Sequence, residues 1–232
     1  MNNRNSSAGR GIWAPNRVAL RAALLVFCAG VASCNSVGPA PTEYLLGPPA
    51  SGTTTTIVQT GLPVVQILPA QLPDYLDSTD LLVRRGNQIV PSETGQWGER
   101  LSIGVTRDLV ISLAARLPNF AVTASPPLNR PQRQVIVDIA SFEARADLQV
   151  VLAARWTITD GTRQTVLDTR QVSIATPVAT DDDRAVVNAM SDTLTEMTNQ
   201  IATSILSDLQ IRSAWNAGTK SGQPADRTLP YQ

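Results

Sequence analysis

Gln134-Val135-Ile136-Val137-Asp138-Ile139-Ala140, followed after a short gap by Val150-Val151-Leu152-Ala153-Ala154-Arg155-Trp156-Thr157-Ile158-Thr159-Asp160-Gly161, is the stretch that decides the fold. Side chains alternate between the two faces of an extended chain, so Val135, Val137 and Ile139 share one face. Ile136, Asp138 and Ala140 share the other. Both faces are largely apolar, and the strand is expected at the centre of a sheet. In the next segment Val150, Leu152, Ala154, Trp156 and Ile158 line one face, and Arg155, Thr157 and Thr159 line the other. Asp160-Gly161 signals a hairpin, because both residue types suit the backbone of a tight turn. It leads into a β-rich run from Val166 to Ala175. A meander of three antiparallel strands is expected.

Two helices flank this meander. Asp181-Asp182-Asp183 suits a helix start, where unpaired N–H groups and the dipole favour negative charge. Val186, Met190, Leu194, Met197, Ile201, Ile205 and Leu209 then recur at spacings of four and three, placing one apolar face on the sheet. Beyond Arg212 the chain turns polar and Gly-interrupted, and a tail is expected over 213–232. The earlier helix is expected to open at Trp97-Gly98-Glu99-Arg100. Its stripe is Leu101, Val105, Leu109, Leu113 and Leu117, with Arg100, Asp108 and Arg116 on the flanks and Pro118 as the stop. Ahead of it, Leu81-Leu82-Val83-Arg84 and Gln88-Ile89-Val90 flank Arg85-Gly86-Asn87 as a hairpin. Pro73-Asp74-Tyr75-Leu76-Asp77 is a turn, and Val64-Val65-Gln66-Ile67-Leu68 is a buried strand closed by Pro69. Phe120-Ala121-Val122 is a further short strand. The fold class expected is α/β (α+β): a mixed, largely antiparallel sheet covered by two main helices.

The N-terminus reads as an address. Arg4, Arg10, Arg17 and Arg21 precede the apolar run from Ala22 to Ala32, without any acidic residue. That run is about half of the ~20 residues a membrane-spanning helix needs. Val31-Ala32-Ser33-Cys34 has the form of a bacterial lipobox: small residues fit a signal peptidase, and the cysteine thiol is the nucleophile that takes the lipid. Residues 1–33 are therefore expected to be a lipoprotein signal, with Cys34 the lipidation site. Asn35, rather than Asp, after the cysteine leans toward the outer membrane over the inner. Residues 34–56 are Pro-, Gly-, Ser- and Thr-rich apart from Glu43-Tyr44-Leu45-Leu46, and are expected to be a tether holding one short strand. A single domain is expected over 57–212.

Composition narrows the function. The 232 residues carry no net charge at neutral pH, but removal of the signal leaves 15 basic and 19 acidic groups, a net of about −4. This argues against nucleic acid as a partner and against electrostatic docking on anionic lipid. Histidine is absent, and of the two cysteines Cys28 leaves with the signal. Ordinary zinc sites and Cys–His or Ser–His–Asp chemistry are thereby removed. Lys220 is the only lysine, and no phosphate-binding glycine motif is present. No cofactor or metal is expected, and the domain reads as a binder or adaptor, not an enzyme. Asp74 with Asp77, and Asp138 with Glu143, read as surface or strand-edge carboxylates before they read as acid–base pairs.

The order of motifs resembles a known family. Tyr44-Leu45-Leu46 is followed by Leu72-Pro73-Asp74-Tyr75-Leu76-Asp77, Leu82-Val83-Arg84 and Trp97-Gly98-Glu99-Arg100-Leu101. Val135, Val137 and Phe142, then Leu152-Ala153-Ala154-Arg155-Trp156, precede the long helix. This is similar to the PqiC-like family of ABC-type transport auxiliary lipoprotein components, over roughly Tyr44 to Leu209; the Thr-rich run 51–56 is a departure from its pattern. The resemblance implies a non-enzymatic lipoprotein on the periplasmic face of the outer membrane. Its implied partners are an MCE-domain periplasmic protein and an inner-membrane component that together move lipid and maintain the envelope. A homo-oligomer is left open. The residues expected to contact a partner are Pro73, Asp74, Tyr75 and Leu76 of the turn, with Arg84 and Arg85 of the hairpin. The alternative is a structural or binding lipoprotein for peptidoglycan or another envelope machine.

Overall fold

The computed structural model describes residues 39–47, 61–127 and 130–220. Cys34, the signal segment 1–33, the Thr-rich run 51–56 and residues 221–232 lie outside the described residues. In chain order the elements are β1 (Thr42–Tyr44), β2 (Val64–Ile67), β3 (Asp80–Arg85), β4 (Gln88–Trp97), α1 (Leu101–Arg116), β5 (Ala121–Thr123), β6 (Arg133–Arg145), β7 (Gln149–Asp160), β8 (Thr165–Pro177) and α2 (Asp183–Lys220). The eight strands make one mixed sheet, as the sequence pattern indicates for an α/β fold.

β6 is paired along both edges. One edge runs antiparallel to β7 from Arg133 opposite Asp160 to Arg145 opposite Gln149, and β7 in turn pairs with β8. The other edge forks. Its first half lies parallel to β2, which carries β5 outside it, and its last residues lie parallel to β3. β4 pairs with β3, and β1 lies parallel to β4 at the margin. In the gap between β2 and β3 the connecting chain satisfies the β6 backbone. Leu68 N–H donates to Val135 O (2.9 Å), Gln71 N–H to Val137 O (2.9 Å), and Ile139 N–H to Gln71 O (2.8 Å). A buried strand edge left without such partners would be costly.

One face of the sheet is covered, not two. Val135, Val137 and Ile139 are buried, but Ile136 and Asp138 are half-buried and Ala140 is exposed. Both helices sit on the same side, so the opposite side is open and polar; there Arg155 donates to Asp138 (3.4 Å), and the Thr157 and Thr169 hydroxyls lie 3.3 Å apart. A register shift between Ile139 and Ser141 lets β6 change parity, so Phe142 and Ala144 continue the buried face after Ala140. The β7 face from Val150 to Ile158 is buried throughout, as its alternation requires. The Asp160-Gly161 turn is a four-residue loop rather than a two-residue one. The Asp160 carboxylate accepts from the backbone N–H groups of Thr162 (2.9 Å) and Arg163 (3.1 Å) and from the Thr162 hydroxyl (2.6 Å).

The helices follow their stripes with three differences. Trp97 does not open α1; it ends β4 with its ring buried, its N–H donating to Thr79 O (2.7 Å), and the helix begins at Leu101. Asp108 is not on an exposed flank. It is 1% exposed, faces Ser112, and its Oδ2 has no hydrogen-bond partner among the described residues. The long helix continues to Lys220 instead of stopping at Arg212, because extending a formed helix requires no new nucleus and Gly218 costs only about 1 kcal/mol. Asp182 caps its start, accepting from Ala185 N–H (2.9 Å). The nearly buried Arg133 ties the helix to β6 through Asp208 (2.6 Å).

β1 brings residues of the expected tether into the fold. Tyr44 pairs with Trp97 and Leu46 is buried. Gly47 N–H donates to Ser191 Oγ (3.1 Å). Gly47 has φ +92°, and a Cβ there would lie 2.3 Å from Asp108 Oδ1, so both backbone and space require glycine. The folded unit starts at Pro41, ahead of the residue 57 expected for the domain.

Two buried carboxylates set opposite pH dependences. Burial raises the Asp108 pKa, against the Ser112 hydroxyl and the Arg107 and Arg116 charges. A raised pKa means stability present at low pH and lost as pH rises through the folded value. Asp108→Asn should therefore raise the melting temperature at pH 7, with the gain disappearing below about pH 4. The Asp160 pKa is lowered to about 2, first by the Thr162 hydroxyl and then, against desolvation, by the Arg163 and Thr162 amides. That stability is present above about pH 4 and lost as pH falls toward 2. Urea titrations of Asp160→Asn should show about 1–2 kcal/mol less pH dependence across that window.

Candidate interaction surface

The turn over Pro73–Asp77 lies in the fork of the sheet, and its shape is local chemistry. Leu76 N–H and Asp77 N–H both donate to Pro73 O (2.9 and 3.2 Å). Leu76 is 1% exposed and belongs to the core, so it is not a contact residue: its side chain is the plug that holds the turn down. Pro73 is half-buried, Asp74 is exposed, and Tyr75 is 40% exposed. Asp77 turns inward to α1. Arg100 at the N-cap makes no capping bond of its own, and Asp77 Oδ1 accepts from Ser102 N–H (3.1 Å) in its place. Asp77 also pairs with Arg100. Desolvation raises its pKa, but the Ser102 hydroxyl and amide and the Arg100 charge outweigh this and hold it below the usual carboxylate value.

Tyr75 meets Arg84 of β3 over Glu143 of β6. Tyr75 O–H donates to Glu143 Oε2 (3.0 Å), Arg84 Nη2 donates to Glu143 Oε2 (3.3 Å) and to the Tyr75 oxygen (3.2 Å), and Arg84 Nε pairs with Glu143 Oε1. The Arg84 guanidinium carbon is 5.7 Å from the centre of the Tyr75 ring. Glu143 is 2% exposed, so its charge is out of water and depends on these partners. Burial raises the Tyr75 pKa, with Glu143 adding to the shift and Arg84 opposing it. The hydrogen bond to Glu143 raises that of Arg84. The structure thus joins two of the sequence-derived contact residues, Tyr75 and Arg84. Arg85, next on the strand, is exposed at the hairpin tip. Asp138 and Glu143 do not form a pair: each has its own arginine.

Three features were not anticipated. Glu143 is the centre of the cluster; its sequence signal is a lone carboxylate inside an apolar strand, but its side depends on the β6 register shift. Beside the cluster, Arg84, Gly86, Arg145, Ala146 and Asp147 line a cavity of about 380 Å³. On α1, Ile103, Val110 and Ile111 with Pro69 and Ala124 line an apolar groove of about 460 Å³. Ile103 and Ile111 are about half exposed, on the helix face away from the stripe, where three scattered apolar residues carry no clear periodic signal. Among the described residues no group of three or more acidic, histidine or cysteine side chains could hold a metal ion. None of the helices there is long and apolar enough to cross a membrane.

Removing one partner of the buried pair strands the other. Arg84→Ala should cost about 3 kcal/mol in denaturant unfolding, whereas Arg84→Met with Glu143→Leu should recover most of that loss. Tyr75→Phe, which leaves the ion pair, should cost about 1 kcal/mol.

Comparison with known proteins agrees with this architecture. The chain is 28% identical over 127 residues to the intermembrane transport lipoprotein PqiC of Escherichia coli K12, covering 54% of this chain and 67% of that protein. It matches PqiC of Shigella flexneri to the same extent. Protein XCC0632 from Xanthomonas campestris has the same fold, with a TM-score of 0.56 at 18% identity over 76% of this chain and 98% of that one. A crystal structure of an uncharacterized protein gives a TM-score of 0.57 at 19% identity, over 62% and 92% of the two chains. Residues 44–202, from the end of β1 to well inside α2, match the model of the ABC-type transport auxiliary lipoprotein component, and the chain belongs to that PqiC-like family.

Proposed function

We propose that the protein is anchored through lipid on Cys34 at the periplasmic face of the outer membrane and serves there as a non-enzymatic subunit of an MCE-type lipid transport system. Its part is to dock the periplasmic end of that system, an MCE-domain protein linked to an inner-membrane component, and so to maintain the envelope. The family supports an auxiliary lipoprotein of a multi-component transporter. The observation that carries the reading furthest is the position of β1. The lipobox cysteine lies eight residues before Thr42, the first residue of the sheet, so a lipid on Cys34 holds the whole domain close to its membrane. The docking surface assigned here is the exposed part of the turn with the arginine packed on it: Pro73, Asp74, Tyr75 and Arg84, with Arg85 of the hairpin tip at its border. The Glu143 cluster fixes Tyr75 and Arg84 in place, so less side-chain freedom is lost on binding.

Affinity capture of the tagged protein from cross-linked, detergent-solubilised envelope tests this reading. Wild type should recover an MCE-domain protein. Tyr75→Ala with Asp74→Arg should lose it, and Cys34→Ala should shift the protein to the soluble fraction. Recovery of no MCE-domain partner by the wild type would count against the adaptor role.

A further inference from the structure

We infer that the end of the sheet carrying the β3–β4 and β6–β7 turns is the face this domain lays on the phospholipid bilayer that holds Cys34. Lipid phosphates would bind at Arg85 and Arg145, with Leu148 among the headgroups; the inference rests on the lipidation of Cys34 proposed above. β3 and β6 run parallel and finish together, Arg84 opposite Arg145, and Ala146 N–H donates to Arg84 O (3.2 Å). The two turns that follow therefore stand side by side. β1 runs parallel to β4 with Thr42 opposite Gly95, and β4 starts from this same end at Gln88. β1 therefore has its N-terminal end toward the two turns. From Gly95 back to Gln88 is about 23 Å of strand. The eight residues from Cys34 to Thr42 reach at most about 28 Å. An anchor at Cys34 can lie level with the turns, whereas a bilayer at the opposite end, by Gly161–Gln164, would require those residues to double back along β1.

The chemistry at this end fits an anionic, partly apolar surface. Arg85 and Arg145 are exposed, and neither side chain has an ion-pair or hydrogen-bond partner among the described residues. Arg84, held by Glu143, shares the intervening cavity with Arg145 and Gly86. Asp147 at its rim opposes them. Asp181, Asp182 and Asp183, in the chain that follows β8, also oppose them; Asp182 and Asp183 keep their charge but are turned to the domain, accepting from Ala185 N–H and from the Ser92 and Thr94 hydroxyls. Leu148 is 41% exposed with φ +55°, a conformation unfavourable for its side-chain type, on a turn that gives it no core to fill. A headgroup layer would cover it. The net charge of −4 expected to oppose anionic lipid is an average over the mature chain, and a surface is sensed over a Debye length of about 8 Å.

The test uses the mature chain from Cys34, coupled through its thiol to a maleimide lipid in vesicles of phosphatidylethanolamine and phosphatidylglycerol. Hydrogen exchange should slow at Arg85–Gln88 and Arg145–Gln149 relative to free protein, and remain unchanged at Gly161–Gln164. For the uncoupled chain, Arg85→Gln with Arg145→Gln should weaken binding to the same vesicles about 25-fold, since each arginine near an anionic surface is worth about fivefold. Both residues are exposed, and an unchanged melting temperature checks that the variant folds. Protection at Gly161–Gln164 instead, or binding unaffected by the two substitutions, overturns the assignment. Chemical coupling makes these readings independent of what the cell does to Cys34. Labelling with an alkyne fatty acid in cells, wild type against Cys34→Ala, reads that step separately. Absence of label there would remove the anchor and the bilayer face together, while vesicle failure with label present would remove only the face.

Discussion

The structure depends on β6 being paired along both of its edges. Thirteen residues long, it is too extended for any single parallel neighbour to cover, and its backbone groups have to be paired because its helix-facing side is buried. β7 pairs one edge along its length, interrupted only by the register shift at Ala140. On the other, β2 and β3 take the two ends, and the chain from Leu68 to Gln71 bonds β6 from Val135 to Ile139. That requirement draws the Pro73–Asp77 turn into the fork. From there Asp77 reaches the start of α1, Leu76 enters the core, and Tyr75 closes over Glu143. A backbone constraint on one strand thus positions a helix terminus and a surface cluster at once.

Much of this was legible from alternation. The core faces of β6 and β7 and the stripes of both helices follow from residue spacing, because periods of two and near four report directly which side is buried. What escaped the sequence depends on geometry that spacing does not encode. Covering β6 on both faces was a fair expectation from Ile136 and Ala140, but both helices chose the same side. Asp108 has the spacing of a flank residue and is buried because Leu46 and Gly47 fold back over α1. Glu143 and Leu76 could not be assigned to a side without the register shift at Ala140 and the course of the turn. Trp97 preceded an obvious helix, yet its backbone is committed to the sheet.

The same comparison sharpens the role of the N-terminal region. Composition describes residues 34–56 as a tether, but Thr42–Tyr44 is a strand in the sheet and Leu46 enters the core, and the family match begins at residue 44. With the anchor proposed at Cys34, the eight residues to Thr42 would leave the domain little freedom to move away from its membrane. The sequence holds no histidine and two cysteines, Cys28 and Cys34, and the proposed anchor uses the second of them. Among the described residues its surface carries a fixed tyrosine–arginine pair, two arginine-bearing turns side by side, and an apolar groove on α1.

Intact-mass and N-terminal peptide mass spectrometry of the protein purified from the envelope addresses the anchor on which this account turns. The account predicts a mature chain that begins at Cys34 and carries a diacylglyceryl group on sulfur, with or without a further acyl chain on the new amino terminus. A chain that begins elsewhere, or a Cys34 found as a free thiol, would contradict it.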